Sequence, residues 1–378
     1  MTRDIVYLDN AATTFPKPPG VGRAVKECID GWCGNPGRGA HPIAERSAET
    51  VYNARAMLAE FFCAKAENTV FTPNATVALN YAIKGLAPRG HVLISDLEHN
   101  AVVRPVISRG QPYSIFPTAA SAEEILDDIA SHIRRDTRAV VCTAASNLCP
   151  AAPPIEAIGR LCMEKNLFFI VDASQAAGKQ TLNMKKMNID ALCAPGHKGL
   201  YGPQGTGFVI FSERAAEAVC HAGTLIEGGN GVNSREAEMP DFLPERLEAG
   251  TLNVPAIYGL CEGIGYIKSR GIKNISSAEC RLCGYARDSL ERMRGVTVYA
   301  EEYRRGSLFI FNIDGRDSED TARALSERGI CVRAGLHCAP LAHASLGTPE
   351  HGAVRVSLGA FNKPSDVDAL IRAVRELK

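Results

Sequence analysis

The sequence predicts an α/β protein with a mostly parallel central sheet in a large domain, followed by a smaller α+β domain. Between about residues 50 and 212, short apolar runs alternate with amphipathic segments of helical period. The strand-like runs are apolar on both faces, which is typical of parallel strands covered by helices on both sides. After about residue 260 the pattern changes to a long polar helix and several short strands, which indicates the second domain.

In the large domain, the first helical spacing of apolar residues runs from Val51 to Phe62. Strand-like and helix-like segments then alternate along the chain. We predict strands at His91–Ser95, Ala139–Thr143, Leu167–Val171, Ile189–Cys193 and Phe208–Phe211, and helices at Ala122–Arg134 and Ile155–Lys165. Because ligands of such sheets bind beyond the carboxyl ends of the strands, those ends are where we look for chemistry.

The smaller domain combines helices with short strands. We predict helices at Ala278–Arg294, Asp320–Glu327 and Val367–Leu377, and strands at Val296–Tyr299, Leu308–Ile313, Ile330–Arg333 and Val354–Leu358. We place the large domain at residues 16–260 and the small domain at 261–378, with residues 1–15 packing against the small domain. No flexible linker separates the two, so we expect them to pack tightly.

The charge pattern excludes several classes of partner. The 42 basic and 42 acidic residues cancel and form no long run, so we expect neither nucleic acid nor a membrane surface as a partner. Asp4 and Asp9 interrupt the N-terminus, which argues against a signal peptide. The longest uncharged stretch, residues 139–155, contains three prolines and is too short to span a bilayer.

Thirteen cysteines stand at irregular spacings, and their odd number argues against a disulfide framework. We therefore expect reduced thiols and a cytoplasmic protein. Cys280 and Cys283 have the spacing of metal ligands, but they lie on a helical pattern without a second pair, so we expect no metal site. Most of the other cysteines lie among apolar residues and are expected to be small core residues.

Two charged residues follow the predicted strands. Asp172 ends an apolar run, so its carboxylate is expected at the edge of a central strand, where it needs a cation or several donors. Lys198 lies in a glycine-rich segment between two strands, and a lysine in a site that holds little water becomes a nucleophilic amine. Taken singly, a capping aspartate and a surface lysine explain these positions equally well.

Together, this pair suits pyridoxal 5′-phosphate, because a lysine forms a Schiff base with the cofactor and an aspartate pairs with its pyridinium nitrogen. The phosphate group needs donors near a helix N-terminus. Ala75 and Thr76 stand at the start of a helical pattern and could supply them.

The sequence resembles the cysteine desulfurases of the class V aminotransferase family over nearly its whole length. The similarity is strongest to the group that includes selenocysteine lyases and desulfurases with an R-x-G-x-H-C-A motif. The motifs that carry it are, in chain order, YLDNAATT, NAT, LEHNAVV, SNLCP, VDASQAAG, GHKGLYGPQG, EAGTLN, RAGLHCAP and VRVSLGAFN. The resemblance implies fold type I of the pyridoxal-phosphate-dependent transferases and a homodimer with the active site near the interface.

For the cofactor ring, the resemblance implies five residues. Lys198 would hold the cofactor covalently, Asp172 would pair with the ring nitrogen, and Gln175 would bind the phenolic oxygen. His99 would stack on the ring and is a candidate to move protons. Asn147 would contact the ring on the substrate side. Read alone, a histidine such as His99, in a predicted loop, is an ordinary surface residue.

For the phosphate and the substrate, the resemblance implies a further set. Ala75, Thr76 and His197, with Thr251 of the partner subunit, would bind the phosphate. Arg355 would bind the α-carboxylate of the substrate, a task suited to its two-pronged guanidinium. A buried ion pair with an acidic side chain is the alternative explanation for an arginine within an apolar strand.

Cys338 would accept sulfur from the substrate. An ordinary thiol is only a few per cent thiolate at neutral pH, so His337, Arg333 or the substrate must assist.

Three positions depart from the family pattern. Pro195 stands where the family has a serine that helps to bind the phosphate, and Gly199 is an extra residue, so we expect an altered phosphate site. Leu336 stands where the family often has a histidine.

The implied reaction converts L-cysteine to L-alanine and leaves a persulfide on Cys338, from which an acceptor protein takes the sulfur. Selenocysteine lyase activity on L-selenocysteine, or cysteine sulfinate desulfinase activity, would use the same residues with another leaving group. A non-catalytic sulfur-transfer scaffold is the alternative from a different class. The presence of Lys198, Asp172, Gln175, His99 and Arg355 together argues against it.

Overall fold

A computed structural model describes residues 5–37, 39–348 and 350–378. Its strands form one large and two small sheets. They are β1 (Val6–Tyr7), β2 (Thr69–Thr72), β3 (His91–Ser95), β4 (Tyr113–Phe116), β5 (Thr137–Thr143), β6 (Phe168–Asp172), β7 (Ala191–Pro195), β8 (Gly207–Phe211), β9 (Val296–Val298), β10 (Leu308–Ile313), β11 (Ile330–Cys331) and β12 (Val354–Ser357). The large sheet has the order β2-β8-β7-β6-β5-β3-β4, in which β8 is antiparallel to both of its neighbours.

The helices cover both faces of this sheet and one face of the smaller ones. They are α1 (Pro19–Gly31), α2 (Pro42–Phe62), α3 (Ala75–Leu86), α4 (Asn100–Ser108), α5 (Ala122–His132), α6 (Ile155–Glu164), α7 (Glu213–Cys220), α8 (Val254–Arg270), α9 (Ile272–Glu291), α10 (Ser318–Ser326), α11 (Pro340–Ser345) and α12 (Pro364–Leu377). A short 3-10 helix, Ala66–Asn68, precedes β2. In the described part of the chain, no helix is long and apolar enough to cross a membrane.

The prediction of a mostly parallel central sheet is confirmed. Strands β3 to β7 pair in parallel, and nearly every residue of β3, β5, β6 and β7 is buried. Two apolar clusters, one on each face, account for this burial. The apolar runs of the sequence therefore arise because these strands are covered by helices on both sides.

The smaller part of the molecule contains the antiparallel sheet β12-β10-β9 and the parallel pair β1 and β11. Its core combines side chains of these strands with those of α9 and α12. Strand β1 brings the N-terminal segment onto this unit, and Leu8 is fully buried within the same core. We therefore propose that the N-terminal residues belong structurally to the small domain.

The predicted domain boundary at residue 260 falls inside a helix. Helix α8 runs without interruption from Val254 to Arg270, and Leu260, Ile264 and Ile267 pack into the core of the large sheet. Gly271, with φ +82°, separates α8 from α9. We propose that the boundary lies at this glycine, because the apolar stripe of α8 keeps the whole helix on the large domain.

Several element boundaries also differ from the predictions. Strand β7 begins at Ala191 rather than Ile189, because Asp190 forms a buried ion pair with Arg214 and its carboxylate accepts the amide of Phe169. The predicted loop after β3 contains the start of a helix, α4, with His99 at its N-cap. This histidine therefore occupies an ordered helix terminus.

We expect the buried ion pair between Arg55 of α2 and Glu248 to stabilise the fold. Arg55 Nη1 donates to Glu248 Oε1 at 2.7 Å, and the same oxygen accepts the amide of Phe71 in β2 at 2.6 Å. Glu248→Gln leaves the buried guanidinium without a counter-charge and should lower the free energy of unfolding by about 3–5 kcal/mol. Chemical denaturation measures this difference. The exposed pair of Lys26 and Asp30 provides the control, since Asp30→Asn should have no measurable effect; equal effects of the two variants would contradict the expectation.

Candidate active site

Asp172 and Lys198 lie at the carboxyl edge of the large sheet, as predicted. Asp172 is the last residue of β6 and is 3% exposed, and its Oδ1 accepts the amide of Ser174 at 2.8 Å. Lys198 follows the end of β7 by three residues and is half-buried. Both side chains line one cavity. The two residues that the sequence singled out are therefore brought together by neighbouring parallel strands.

The segment around Lys198 packs closely on the turn that follows Asp172. A Cβ atom on Gly199 would lie 2.3 Å from the carbonyl oxygen of Ala177, and one on Gly178 would lie 2.2 Å from the carbonyl oxygen of Gly199. Both distances are too short for any side chain. The extra glycine of this sequence thus has a packing role, because it lets two backbone segments cross beneath Lys198.

Burial, helped by the guanidinium groups of Arg355 and Arg333 and opposed by Asp172, lowers the pKa of Lys198 to about 8. No described residue forms a hydrogen bond with its Nζ atom. A pKa near 8 leaves a useful fraction of neutral amine at physiological pH, as a nucleophile or a base requires.

His99 presents a proton donor to the same cavity. Its Nδ1 accepts the backbone amide of Ala101 at 3.0 Å, which caps α4. The neutral ring therefore carries its proton on Nε2. Burial lowers the pKa of His99, with Lys198 acting in the same direction and Asp172 against it. The imidazole is thus neutral near pH 7, with one defined N–H group.

Beside His99, the carboxyl group of Glu98 is fully buried. Its Oε1 accepts Ser95 Oγ at 2.5 Å and the amide of Thr143 at 2.6 Å, whereas Oε2 is buried without a hydrogen-bond partner in the described residues. Burial raises the pKa of Glu98 to about 8, and the nearby Asp172 adds to the rise. A protonated Glu98 avoids a second buried negative charge next to Asp172.

Another part of the cavity carries hydrogen-bond donors that are suited to an anion. Ala75 and Thr76 occupy the first turn of α3, where backbone amides have no partner within the helix. Asn74 Oδ1 accepts the amide of Val77 and leaves the two amides before it free. His197 Nδ1 is buried without a partner in the described residues. Such a helix N-terminus favours a phosphate group.

Gln175 and Asn147 also line the cavity, and each forms one hydrogen bond with another segment of the chain. Gln175 Nε2 donates to the carbonyl oxygen of Ala11 at 3.0 Å, and Asn147 Nδ2 donates to that of His337 at 3.0 Å. Thr251 is exposed and lines a different depression, together with Ile226. Of the predicted cofactor-binding residues, Thr251 therefore lies outside the cavity of its own chain.

Arg355 is 1% exposed and forms an ion pair. Its Nη2 donates to Asp9 Oδ1 at 2.7 Å, and Nη1 donates to the carbonyl oxygen of Asn147 at 3.1 Å. The Nε atom is buried without a partner in the described residues. Both explanations offered by the sequence therefore have support, since the guanidinium has an acidic partner and retains one free donor.

Cys338 lies in an ordered loop whose thiol reaches the surface. All thirteen cysteines are free, and Cys338, Cys33 and Cys63 are exposed. The amide of Asn100 donates to the carbonyl oxygen of Cys338 at 2.8 Å, and the next residue, Ala339, is fully buried. The thiol opens on a groove between α3 and α4, which we call the Cys338 groove. The loop is therefore fixed to the large domain by its backbone.

Of the two protein groups expected to assist Cys338, the structure favours Arg333. Arg333 Nη2 lies 3.8 Å from Cys338 Sγ. The ring of His337 is buried, and its nitrogens contact His343 and the carbonyl oxygen of Arg333. Burial lowers the pKa of His337 to about 3. His337 is therefore neutral and directed away from the thiol.

Two residues with a place in this site were not assigned a role from the sequence. Asp9 is the acidic partner of Arg355, and its signal in the sequence was its place in the family motif YLDNAATT. Lys17 Nζ donates to the carbonyl oxygen of His197 at 2.6 Å and to Thr14 Oγ1 at 2.7 Å. Burial lowers the pKa of Lys17 to about 8. Sequence spacing could not reveal the contacts with Arg355 and His197, since these join residues 346 and 180 positions apart.

These residues fit pyridoxal 5′-phosphate. A buried carboxylate and an amine of lowered pKa face one cavity, whose far end offers a helix N-terminus and the unpartnered His197 Nδ1. A ring nitrogen, an aldehyde and a phosphate need this set of groups.

The acetylation rate of Lys198 should follow a titration with a midpoint near pH 8, because only the neutral amine reacts. In Asp172→Asn the midpoint should fall, since the carboxylate stabilises the ammonium form. Trace acetylation followed by peptide mass spectrometry measures the rates, with the exposed Lys26 as an internal reference. A midpoint that does not respond to Asp172→Asn would contradict the electrostatic contact between the two residues.

The chain is similar over nearly its whole length to proteins named as cysteine desulfurases. A probable cysteine desulfurase of Methanothermobacter thermautotrophicus is 31% identical over 386 residues, which cover all of this chain and 96% of that protein. The apo structure of a cysteine desulfurase from Thermococcus onnurineus superposes with a TM-score of 0.88 at 28% identity and covers 99% of this chain and 94% of that one. The cysteine desulfurase CsdA of Escherichia coli gives a TM-score of 0.84 at 28% identity, with 98% and 94% coverage.

The family model described as aminotransferase class-V matches residues 6–370. This match includes both parts of the fold and every candidate residue of the site. The chain therefore belongs to the aminotransferase class-V family.

Proposed function

We propose that the protein is a pyridoxal-phosphate-dependent cysteine desulfurase that converts L-cysteine to L-alanine and transfers the sulfur to Cys338. The observation that carries the proposal is the arrangement of two adjoining spaces. His99, Thr76 and Ala101 line both the cavity of Lys198 and the Cys338 groove. An exposed thiol therefore opens beside a cavity suited to the cofactor, as sulfur transfer requires.

Different residues of the cavity would bind different parts of the cofactor. Lys198 would bind it covalently, and Asp172 would keep its ring nitrogen protonated. Gln175 and His99 would contact the ring and its oxygen. Ala75, Thr76 and His197 would bind the phosphate with Thr251 of the partner subunit. When bound, pyridoxal 5′-phosphate supplies an electron sink for electrons released at the substrate Cα.

The substrate would be held and deprotonated by groups of lowered pKa. Arg355 would bind the α-carboxylate through its free Nε donor. Asn147 would contact the substrate side of the ring. Lys198, with a pKa near 8, is suited to take the Cα proton once its amine is free. His99, neutral and protonated on Nε2, is suited to supply a proton.

Cys338 would then accept the sulfur atom. Its thiolate forms a sulfur–sulfur bond with the substrate, the Cβ–S bond breaks, and the electron pair of that bond remains on the substrate carbon. Protonation of this carbon and return of a proton to Cα give L-alanine, and the enzyme is left as a persulfide. The guanidinium of Arg333 lies 3.8 Å from Sγ, so a positive charge stands beside the sulfur that attacks.

We further propose a homodimer and an acceptor protein that takes the persulfide sulfur. Thr251 is exposed and shares its depression with Ile226, which is 50% exposed. A second copy that covers this surface would bury the isoleucine and could bring Thr251 to its own cavity. The exposure of Cys338 supports transfer to an external acceptor.

Incubation with L-cysteine should produce L-alanine, and the Cys338 peptide should gain the mass of one sulfur atom. Cys338→Ser should reduce alanine formation by about 10²-fold or more, because the nucleophile is lost. Lys198→Ala should abolish both products. The matched control is Cys33→Ser, which removes an exposed thiol outside the site and should leave turnover unchanged. Alanine formation that does not depend on Cys338 would refute its role as acceptor.

Arg355→Lys keeps the positive charge beside Asp9 but removes the free Nε donor. We expect kcat/KM for L-cysteine to fall about 10–100-fold, mainly through KM, because a charged hydrogen bond contributes about 1.5–3 kcal/mol. Steady-state kinetics at saturating cofactor measure the change. An unchanged kcat/KM would assign Arg355 solely to its ion pair with Asp9.

A further inference from the structure

A chain of hydrogen bonds runs beneath the Cys338 loop, and we call it the histidine chain. It consists of Thr348, His343 and His337 and ends on the carbonyl oxygen of Arg333. Thr348 Oγ1 lies 2.6 Å from His343 Nδ1, His343 Nε2 lies 3.3 Å from His337 Nδ1, and His337 Nε2 lies 3.3 Å from the oxygen of Arg333. The two rings stack with centroids 5.5 Å apart. They are 2% and 3% exposed.

The histidine chain permits one arrangement of protons. The Arg333 carbonyl oxygen can only accept, so His337 carries its proton on Nε2 and its Nδ1 must accept. His343 then carries its proton on Nε2, and its Nδ1 requires the hydroxyl proton of Thr348. This hydroxyl also lies within donating distance, 3.0 Å, of the carbonyl oxygen of His343, but that oxygen already accepts the amide of Thr348 at 3.2 Å, whereas His343 Nδ1 has no other donor among the described residues. Burial lowers the pKa of His343 to about 4 and that of His337 to about 3, which agrees with two neutral rings.

The loop above this chain has an unusual backbone. His337 and Cys338 are consecutive residues with φ +50° and +55°. Such conformations cost about 1–3 kcal/mol each for residues other than glycine and persist only where surrounding contacts hold them. Asn147 and Asn100 hold the two carbonyl oxygens from the large domain. The histidine chain holds the His337 ring from below and ties it to the backbone of Arg333.

We propose that Thr348 and His343 are positioning residues for sulfur transfer. By keeping the His337 proton on Nε2, they hold the loop so that Cys338 Sγ faces the Arg333 guanidinium. This inference rests on the proposed function of Cys338. It also assigns His337 a structural role, because both of its nitrogens are engaged and neither can take the thiol proton.

The test compares Thr348→Val with Thr348→Ser. Valine has the shape of threonine without the hydroxyl, so His343 Nδ1 loses its donor. The direction of the hydrogen bonds in the histidine chain is then no longer defined. Serine keeps the hydroxyl and should restore it. Nitrogen-15 NMR of histidine-labelled protein should find both rings protonated on Nε2 in the wild type and in Thr348→Ser. Thr348→Val should give mixed or reversed tautomers.

The position of the thiol is measured separately, in protein without cofactor. The rate of Cys338 alkylation by iodoacetamide, relative to that of exposed Cys33, should change at least threefold in Thr348→Val and remain within twofold of wild type in Thr348→Ser. With cofactor bound, the single-turnover rate of persulfide formation on Cys338 should fall about tenfold in Thr348→Val, since a buried hydrogen bond lost without replacement has an effect of this size. KM for L-cysteine should not change.

Unchanged tautomers and an unchanged alkylation ratio in Thr348→Val would overturn the inference. Changes of the tautomers and of the alkylation ratio in Thr348→Ser that equal those in Thr348→Val would also overturn it, because the hydroxyl would then not be the determining group. A wild-type protein that has the expected tautomers and alkylation contrast but forms no persulfide would refute the proposed function and leave the positioning role intact. The two failures are therefore distinguishable.

Discussion

The candidate site depends on how Asn147 joins the two parts of the molecule. This residue follows β5 at the edge of the large sheet and is 8% exposed. Its side-chain amide donates to the carbonyl oxygen of His337, and its own carbonyl oxygen accepts from Arg355. One residue of the large domain thus fixes both the Cys338 loop and the candidate carboxylate-binding arginine. Both contacts are buried, where an unpaired polar group would be costly, so the small domain has little freedom to move away.

A second connection lies on the other side of Lys198. The hydroxyl of Tyr201 donates to Glu279 of α9 and accepts the amide of Ala360. Lys179 forms an ion pair with the same carboxylate at 2.9 Å and donates to Ser307 Oγ at 2.8 Å. Because Tyr201 follows Lys198 by three residues, these contacts hold the lysine-bearing loop against the small domain. The cavity is therefore enclosed between two anchored segments.

The electrostatics of the cavity follow from burial more than from any single ion pair. Burial favours the neutral forms of Lys198, His99 and Glu98. The acidic Asp172, which has a backbone donor at 2.8 Å, lies among these groups. The site thus offers a neutral imidazole and a partly neutral amine close to a carboxylate, which is the combination needed for proton transfer near pH 7.

Much of the large domain could be predicted from the sequence because its signals are local. Apolar runs identified the central strands, and the positions of Asp172 and Lys198 after such runs located the edge of the sheet where the cavity lies. Family motifs added Cys338, His99 and the other candidates. The boundary predicted at residue 260 falls inside α8, where a long apolar stripe continues through the change in composition.

Only the tertiary structure decided which distant groups meet. The pairing of Asp9 with Arg355, the contact of Lys17 with His197, and the link from Thr348 to His337 depend on how strands and loops cross in space. The same holds for the proton position on His99, which the amide of Ala101 sets, and for that on His337, which the Arg333 carbonyl oxygen and the contact with His343 set together. The sequence by itself determined the chemistry that is available, because residue types and strand ends are local properties. The structure determined protonation and alignment, because these arise from burial and from contacts between distant segments.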